Sequence, residues 1–378
     1  MEERRRRAML PTELMHEGEH LMTVCNACRY CEGYCAVWQA MERRLVFKES
    51  DLNYLANLCH NCSECYYACQ YAPPHEFDIN PPKTLAKIRA YTYELYAWPA
   101  PLAKAFRKNG LLVSLLTAVV LIGFLLAANA AVGSRLWTPV RGGDAYQIIS
   151  HEVMTLTFAA VGLFAALALL IGFLRFWRNV GEPYSGLANP AALTRAAKDV
   201  LRLENLDNGG AGCTYPGTES SQSLRWFHHV TFYGFLSCFV ATTLGAIYYY
   251  VLGWHGPYGY ASWPVIFGTL GGIGLVIGPV GLYALKQRRN RDIVDEGQYG
   301  MDVSFIVLLL LTSISGLLLL FLRESAAMGT LLVVHLGIVM ALFLTLPYGK
   351  FVHGIYRSAA VLKWSLERSR PPEHNVEV

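Results

Sequence analysis

The sequence predicts an all-α protein: a six-helix transmembrane bundle preceded by a small, mostly helical, cysteine-rich domain. Three observations lead there. Only 16% of the 378 residues are charged and 53% are hydrophobic, against about 25% charged residues in an ordinary soluble domain. The shortage of charge is confined to the region from Leu111 to Leu346, where six long apolar stretches follow one another. Of the 10 cysteines, all but Cys213 and Cys238 fall between Cys25 and Cys69. Together these exclude a wholly soluble enzyme, a disordered chain and a disulfide-rich secreted domain. A net charge of +4 gives no ground for a nucleic-acid partner. The chain divides into residues 1–108, 109–354 and a C-terminal tail, 355–378.

The first of these parts opens with the basic run Arg4–Arg7. No apolar segment follows it before Leu111, so it reads as a solvated, membrane-adjacent tail and not as a signal peptide. Two cysteine runs then repeat one arithmetic: Cys25, Cys28, Cys31, Cys35, and Cys59, Cys62, Cys65, Cys69. Each is C-x2-C-x2-C-x3-C, the spacing of two-cluster ferredoxins. Short loops wrap three thiolates around one face of an iron–sulfur cube, and the fourth cysteine, one residue further on, faces the neighbouring cluster. The expected ligands are Cys25, Cys28, Cys31 and Cys69 for one [4Fe–4S] cluster, and Cys59, Cys62, Cys65 and Cys35 for the other, in a ferredoxin-like domain. Structural zinc usually takes two ligand pairs split by a longer loop, and disulfides do not suit a reducing cytoplasm. Ala36 and Gln70 stand where the bacterial run has proline. Lys83, Lys87 and Arg89, after Pro81-Pro82, read as a solvated helix face in preference to a docking patch.

The apolar stretches are Leu111–Ala131, Val153–Leu174, Val230–Leu252, Trp263–Leu285, Val303–Leu322 and Gly329–Leu346. None contains Lys, Arg, Asp or Glu, and spanning a bilayer takes about 20 apolar residues. Loop charge orients them. With the N-terminus inside, the cytoplasmic side collects Arg175, Arg178, Arg195, Lys198, Arg202, Arg225, Lys286, Arg288, Arg289, Arg291, Lys350, Arg357, Lys363, Arg368 and Arg370. The outer loops hold Arg135, Arg141 and Arg323. Both termini and the cysteine-rich domain are expected in the cytoplasm.

An ionisable residue in a membrane span marks function by default. His151 and His335 fall near the outer face; His228, His229 and His353 fall near the inner face. The two groups suit one or two b-type haems held by imidazoles from different helices. His335 and His353 are 18 residues apart, which on one helix is five turns and about 27 Å, on a single face; Pro347 intervenes and can kink it. Thr231, Gly234, Cys238, Ala241, Thr242 and Gly245 form a stripe of small residues that either admits a porphyrin or packs closely on another helix. His228 lies nearer this stripe than His229 and is the preferred ligand. Cys238 reads as a packing residue. Cys213, in the Gly-rich segment 208–217, has no partner in sequence.

The run from His335 to His353 resembles the last-helix motif of cytochrome b subunits of the respiratory nitrate reductase gamma type, in which the two histidines serve different haems. Trp226-Phe227-His228 followed by Phe232-Tyr233-Gly234-Phe235 is similar to that family's other haem helix. Its second histidine falls at Cys238 here, which leaves His151 to substitute at the outer haem. Nearly the whole chain resembles the tricarballylate-utilisation (citrate-utilisation) protein B family, most distinctively at Gly212–Pro216, Arg225–Phe235, Gly268–Gly281 and Pro347–His353. The resemblance implies a multi-pass protein of the bacterial inner membrane that partners a separate FAD-dependent tricarballylate dehydrogenase. It would reoxidise that enzyme's flavin through two [4Fe–4S] clusters and haem b and deliver electrons to quinone. No G-x-G-x-x-G fingerprint for a flavin domain is present in the chain itself. A quinol-oxidising subunit feeding a cytoplasmic reductase, or a zinc-stabilised anchor or transporter without redox function, are the rival readings.

Overall fold

The computed structural model describes residues 11–106 and 109–371; the basic run Arg4–Arg7 and the end of the C-terminal tail lie outside the described residues. Apart from one pair of two-residue strands, the described elements are helices.

The cysteine runs occupy the joints between short helices. Helix α1 (Pro11–Cys28) carries the first two cysteines in its last turn and stops at Arg29, whose φ of 55° is left-handed. The chain passes Cys31 and Cys35 before α2 (Ala36–Met41). Helix α3 (Glu49–Leu58) starts where the Asp51 carboxylate reaches back to accept a hydrogen bond from the Lys48 N–H at 3.1 Å. It runs into Cys59, and α4 (Glu64–Tyr67) carries Cys65. Helix α5 (Pro81–Tyr96) has prolines in its first positions and Asn80 as its cap, accepting from the Lys83 N–H; α6 (Ala100–Ala105) leads toward the bundle. Leu14, Leu21, Leu52, Leu55, Leu85 and Ile88 form the core of this region. Arg89 is 3% exposed and Lys87 pairs with Glu17 at 3.1 Å. The α5 face read from sequence as solvated is therefore largely spent inside the protein.

The membrane half consists of α7 (Asn109–Val132), α8 (His151–Asn179), α10 (Ser223–Tyr250), α11 (Trp263–Gln287), α12 (Tyr299–Phe321) and α13 (Met328–Thr345). Six helices are long and apolar enough to cross a membrane. Leu115, Val119, Ile122 and Leu126 of α7, Leu156, Leu163, Leu167 and Leu170 of α8, and Leu270, Ile273 and Ile277 of α11 are exposed. Such rows of bare aliphatic side chains fit hydrocarbon, not water. Neighbours in the bundle are α10 with α11, α11 with α12, α12 with α13, and α13 with both α7 and α8.

The last helix departs from the sequence reading. Backbone hydrogen bonding of α13 ends at Thr345, the chain turns through Leu346–Phe351, and a separate helix α14 (Val352–Glu367) begins. Pro347 lacks the N–H and ring clearance that continuation requires. His335 and His353 thus do not share one helix face. The segment set apart as a tail is helical and mostly buried as far as Glu367.

Helix α14 shares one core with the cysteine-rich part: Val352, Tyr356, Ala359, Ala360 and Leu366 pack with Tyr54, Tyr93, Phe176 and Trp177. Charge reinforces the joint. The Glu367 carboxylate accepts from Arg44 at 2.5 Å and from the Tyr54 hydroxyl at 3.1 Å, and lies 3.5 Å from Lys363. Lys363 also donates to the Val180 carbonyl at 2.6 Å and meets Glu182. Helix α9 (Pro190–Arg202) clamps the other side through Arg195 on Ser365 and Asp199 on Arg368. Removing one partner of a buried ionic network leaves uncompensated charge and costs about 3–5 kcal/mol. Glu367→Ala is therefore expected to destabilise the protein by about 3 kcal/mol, read as a lower thermal midpoint and faster proteolysis within residues 11–106 in detergent.

Candidate functional site

The structure gathers the eight clustered cysteines around two cavities. Cys25, Cys28 and Cys31 line the first together with Cys69 from the second run, against Val24, Met41 and Ile79. Cys59, Cys62 and Cys65 line the second together with Cys35 from the first run, against Val37 and Leu85. Trp38, 3% exposed, borders both, as does Cys65. Among the described residues no three His, Cys, Asp or Glu side chains are gathered around a single ion; a four-iron cube spaces its thiolates more widely than one ion does. The electrostatics fit such a group. Burial, then the neighbouring thiols, push Cys25 upward and Cys31 to about 12, and hold Cys35 and Cys65 well above the ordinary thiol range. Adjacent buried thiols ionise together only when a cation compensates them.

The loop Cys59–Cys65 is held from outside. Asn61 and Ser63 have φ of 61° and 71°, and Arg289 fixes both, donating to the Asn61 side chain at 3.2 Å and to the Ser63 hydroxyl at 2.9 Å. The Asn61 N–H points at the Cys59 sulfur, 3.4 Å away. Hydrogen bonds to ligand sulfur are one means of setting a cluster's potential. Strand β1 (Cys213–Thr214), paired with β2 (Ser220–Ser221), lies on the same loop. Thr214 hydrogen-bonds Glu64, and Cys213, fully buried, packs against Cys62 while its sulfur approaches the Leu206 carbonyl at 3.5 Å. Sequence spacing gave Cys213 no partner, because the strand pair reaches the loop from far along the chain.

Beside this loop lie the histidines. His228 of α10 and His353 of α14 face each other with ring centroids 6.1 Å apart and ring planes at 81°. Two imidazoles bound to one metal at about 2 Å each place their centroids about 6 Å apart. His353 Nδ1 lies 2.5 Å from the Lys350 carbonyl; a carbonyl only accepts, so Nδ1 carries the proton and Nε2 keeps its lone pair. Burial, with Arg357 and Lys350 nearby, holds His353 well below the usual imidazole range, hence neutral. His228 Nδ1 is buried and unpartnered. The pair therefore fits the axial ligation of a haem. His229 turns away, toward Tyr233 at 5.7 Å. His60, which spacing did not single out, sits in the second cysteine loop with Nδ1 2.8 Å from the Leu58 carbonyl, and burial, then Arg357, lowers it well below the usual range.

At the far end of the bundle the histidines have other partners. His335 meets Ser315 Oγ at 3.0 Å, on α12. His151 stacks on Tyr249 at 3.5 Å between centroids, with Tyr146 and Tyr250 around it. The structure does not bring these two together. The small-residue stripe of α10 is not a porphyrin groove; α11 fills it. A Cβ added at Gly271 would stand 2.7 Å from the Cys238 sulfur, and one at Gly278 would stand 2.7 Å from the Thr231 nitrogen and 3.0 Å from the Phe227 carbonyl. Cys238 is a packing residue of that contact.

Comparison with known proteins agrees with this arrangement at the level of family. Residues 105–374 match the family described as citrate utilization protein B, and residues 18–94 match its Fer4-like domain. Citrate utilization protein B of Escherichia coli is 49% identical over 370 residues, covering 98% of this chain and 97% of that protein. No solved structure matches.

The helix contact makes a sharp prediction. Gly278→Val forces backbone apart and is expected to cost about 1–3 kcal/mol. Gly245→Ala, in the α10 stripe and with no atom within 4 Å of the added carbon, should not lower the thermal midpoint. Equal effects of the two would contradict the packing described here.

Proposed function

This chain belongs to the citrate utilization protein B family, and on that premise we propose that it is a membrane-bound electron carrier serving citrate or tricarballylate utilisation. In this reading it takes electrons from the reduced flavin of a partner dehydrogenase and delivers them, through two [4Fe–4S] clusters and haem b, to membrane quinone. The observation that carries it is the convergence of His228 and His353, with His60, beside the loop of Cys59, Cys62 and Cys65. The bound groups would supply one-electron chemistry, to which a reduced flavin can release its two electrons one at a time.

The protein's own residues supply the rest. Cys25, Cys28, Cys31 and Cys69 hold the cluster nearer the protein surface; Cys59, Cys62, Cys65 and Cys35 hold the one nearer the bundle. Trp38 fills the space between the two sites with apolar bulk and excludes water. His228 and His353 hold the haem iron, and the Lys350 carbonyl orients the His353 ring. The flavoprotein docks on the side of the cysteine-rich domain. That domain and both termini face the cytoplasm, across a bacterial inner membrane, with residues 1–108 and 109–354 as the two functional parts.

The full-length protein purified in detergent should show a Soret band that sharpens and shifts on dithionite reduction, over a broad iron–sulfur absorbance. A colourless protein overturns the proposal, and iron–sulfur absorbance alone removes the haem from it. Cys25→Ser and Cys69→Ser should abolish the same cluster signal in electron paramagnetic resonance, and Cys35→Ser and Cys59→Ser the other. His353→Ala should lower haem content at least tenfold; unchanged haem would refute its place as ligand.

A further inference from the structure

Between the second cysteine loop and the histidine pair lies a group of buried cations that the preceding roles do not use. Arg89 of α5 donates from Nη1 to the Cys59 carbonyl at 2.8 Å and to the Ala56 carbonyl at 3.0 Å. Arg357 of α14 donates from Nη2 to the same Cys59 carbonyl, also at 2.8 Å. Two guanidinium groups thus converge on one neutral oxygen. Lys350, close by, is matched by Asp302 at 2.8 Å, but Asp302 also serves Lys286 at 2.6 Å. Arg289 is taken up by Asn61 and Ser63. Among the described residues no carboxylate pairs with Arg89 or Arg357.

Their remaining donors are unspent. Nε of Arg89, Nε of Arg357 and the hydroxyl of Tyr93 are all buried without a hydrogen-bond partner, and Arg89 as a whole is 3% exposed. Buried charge is normally paired, and arginine has only donors to offer, so the missing partner is an acceptor and an anion. The edge of a guanidinium that carries Nε takes a carboxylate in a two-pronged contact.

Position says which anion. Arg357 follows His353 by four residues on α14, one turn on along the same helix face. Lys350 precedes His353 by three. Positive charge is therefore concentrated beside His353, on the side of the cysteine-rich domain. We infer that Arg89 and Arg357, helped by the Tyr93 hydroxyl, form the binding site for the two propionate carboxylates of the haem held by His228 and His353. This rests on the haem reading above. It would give the buried cations their counter-charge beside the Cys59 loop.

The test is a double cycle on binding. Full-length protein made in cells unable to synthesise haem is loaded in membranes with haemin or with haemin dimethyl ester, and the Soret band is titrated. Arg89→Gln and Arg357→Gln should each weaken haemin binding at least tenfold. The ester should bind wild type at least tenfold more weakly than haemin does, and the double Gln variant no more weakly than haemin does. Arg89→Lys and Arg357→Lys, which keep the charge, should stay within about threefold of wild type, which separates a charge contact from a general loss of fold. A tenfold coupling corresponds to about 1.4 kcal/mol. Losses that simply multiply, or Gln variants that bind haemin as wild type does, overturn the propionate site while leaving the haem in place. A wild-type protein that takes up neither ligand overturns the haem reading and this inference with it.

Discussion

Helix α14 is the element on which the rest of the structure depends. It is a short helix buried along most of its length, yet it carries Arg357, Lys363 and Glu367, and each is matched to a group on another element. Its start places His353 against α10, its middle sets Arg357 on the Cys59 carbonyl, and its end holds Glu367 between Arg44 and Tyr54. Because those three contacts lie on one rigid rod, the cysteine-rich part and the bundle are fixed relative to each other. A flexible joint would let the distance from the Cys59 loop to the His228–His353 pair vary. Electron transfer between cofactors weakens steeply with distance, so a rigid joint is what the proposed function demands.

The same joint explains the concentration of basic residues. A cysteine-bound four-iron cluster brings net negative charge into a region that excludes water, and so do haem carboxylates. In the proposed function, Arg289 on the cysteine loop and Arg89 and Arg357 beside it would answer that charge from three different segments of the chain. Without it, each buried guanidinium would be a liability. The cationic group is an indication that the apolar frame is built around anions, which agrees with thiols that burial and proximity otherwise keep protonated.

How much of this was legible in the sequence follows from how local each signal is. Apolar runs and cysteine spacing are read over 20 residues or fewer, and the six spans and the two joints of the cysteine runs lie where those patterns put them. Contacts between distant segments were not legible. Arg89 looked like a solvated helix residue because nothing nearby reveals that α3 and α14 cover it. Cys213 lacked a partner in sequence for the same reason, and nothing in the spacing singled out His60, which Arg357 and His228 approach from distant segments. Pro347 announced a disturbance, but whether it kinks a helix or ends it is decided by the turn at Leu346–Phe351 and by the core waiting for α14. The stripe on α10 fitted two readings equally, and only the glycines of α11 opposite it decide for helix packing.

The two ends of the bundle are therefore unequal. At the end near the cysteines, two imidazoles lie with centroids 6.1 Å apart, a separation compatible with one shared metal, and one of them has its Nδ1 anchored by a carbonyl. At the far end, His335 is engaged by Ser315 and His151 lies flat on Tyr249 within a group of tyrosines. To serve one iron, His151 would have to leave that ring, lose a stacking contact worth about 1 kcal/mol, and approach a histidine that faces α12. Cys238 is sealed against Gly271 and offers no replacement. The geometry thus fits the proposed haem site to the near end, while at the far end His151 is part of a packed aromatic group.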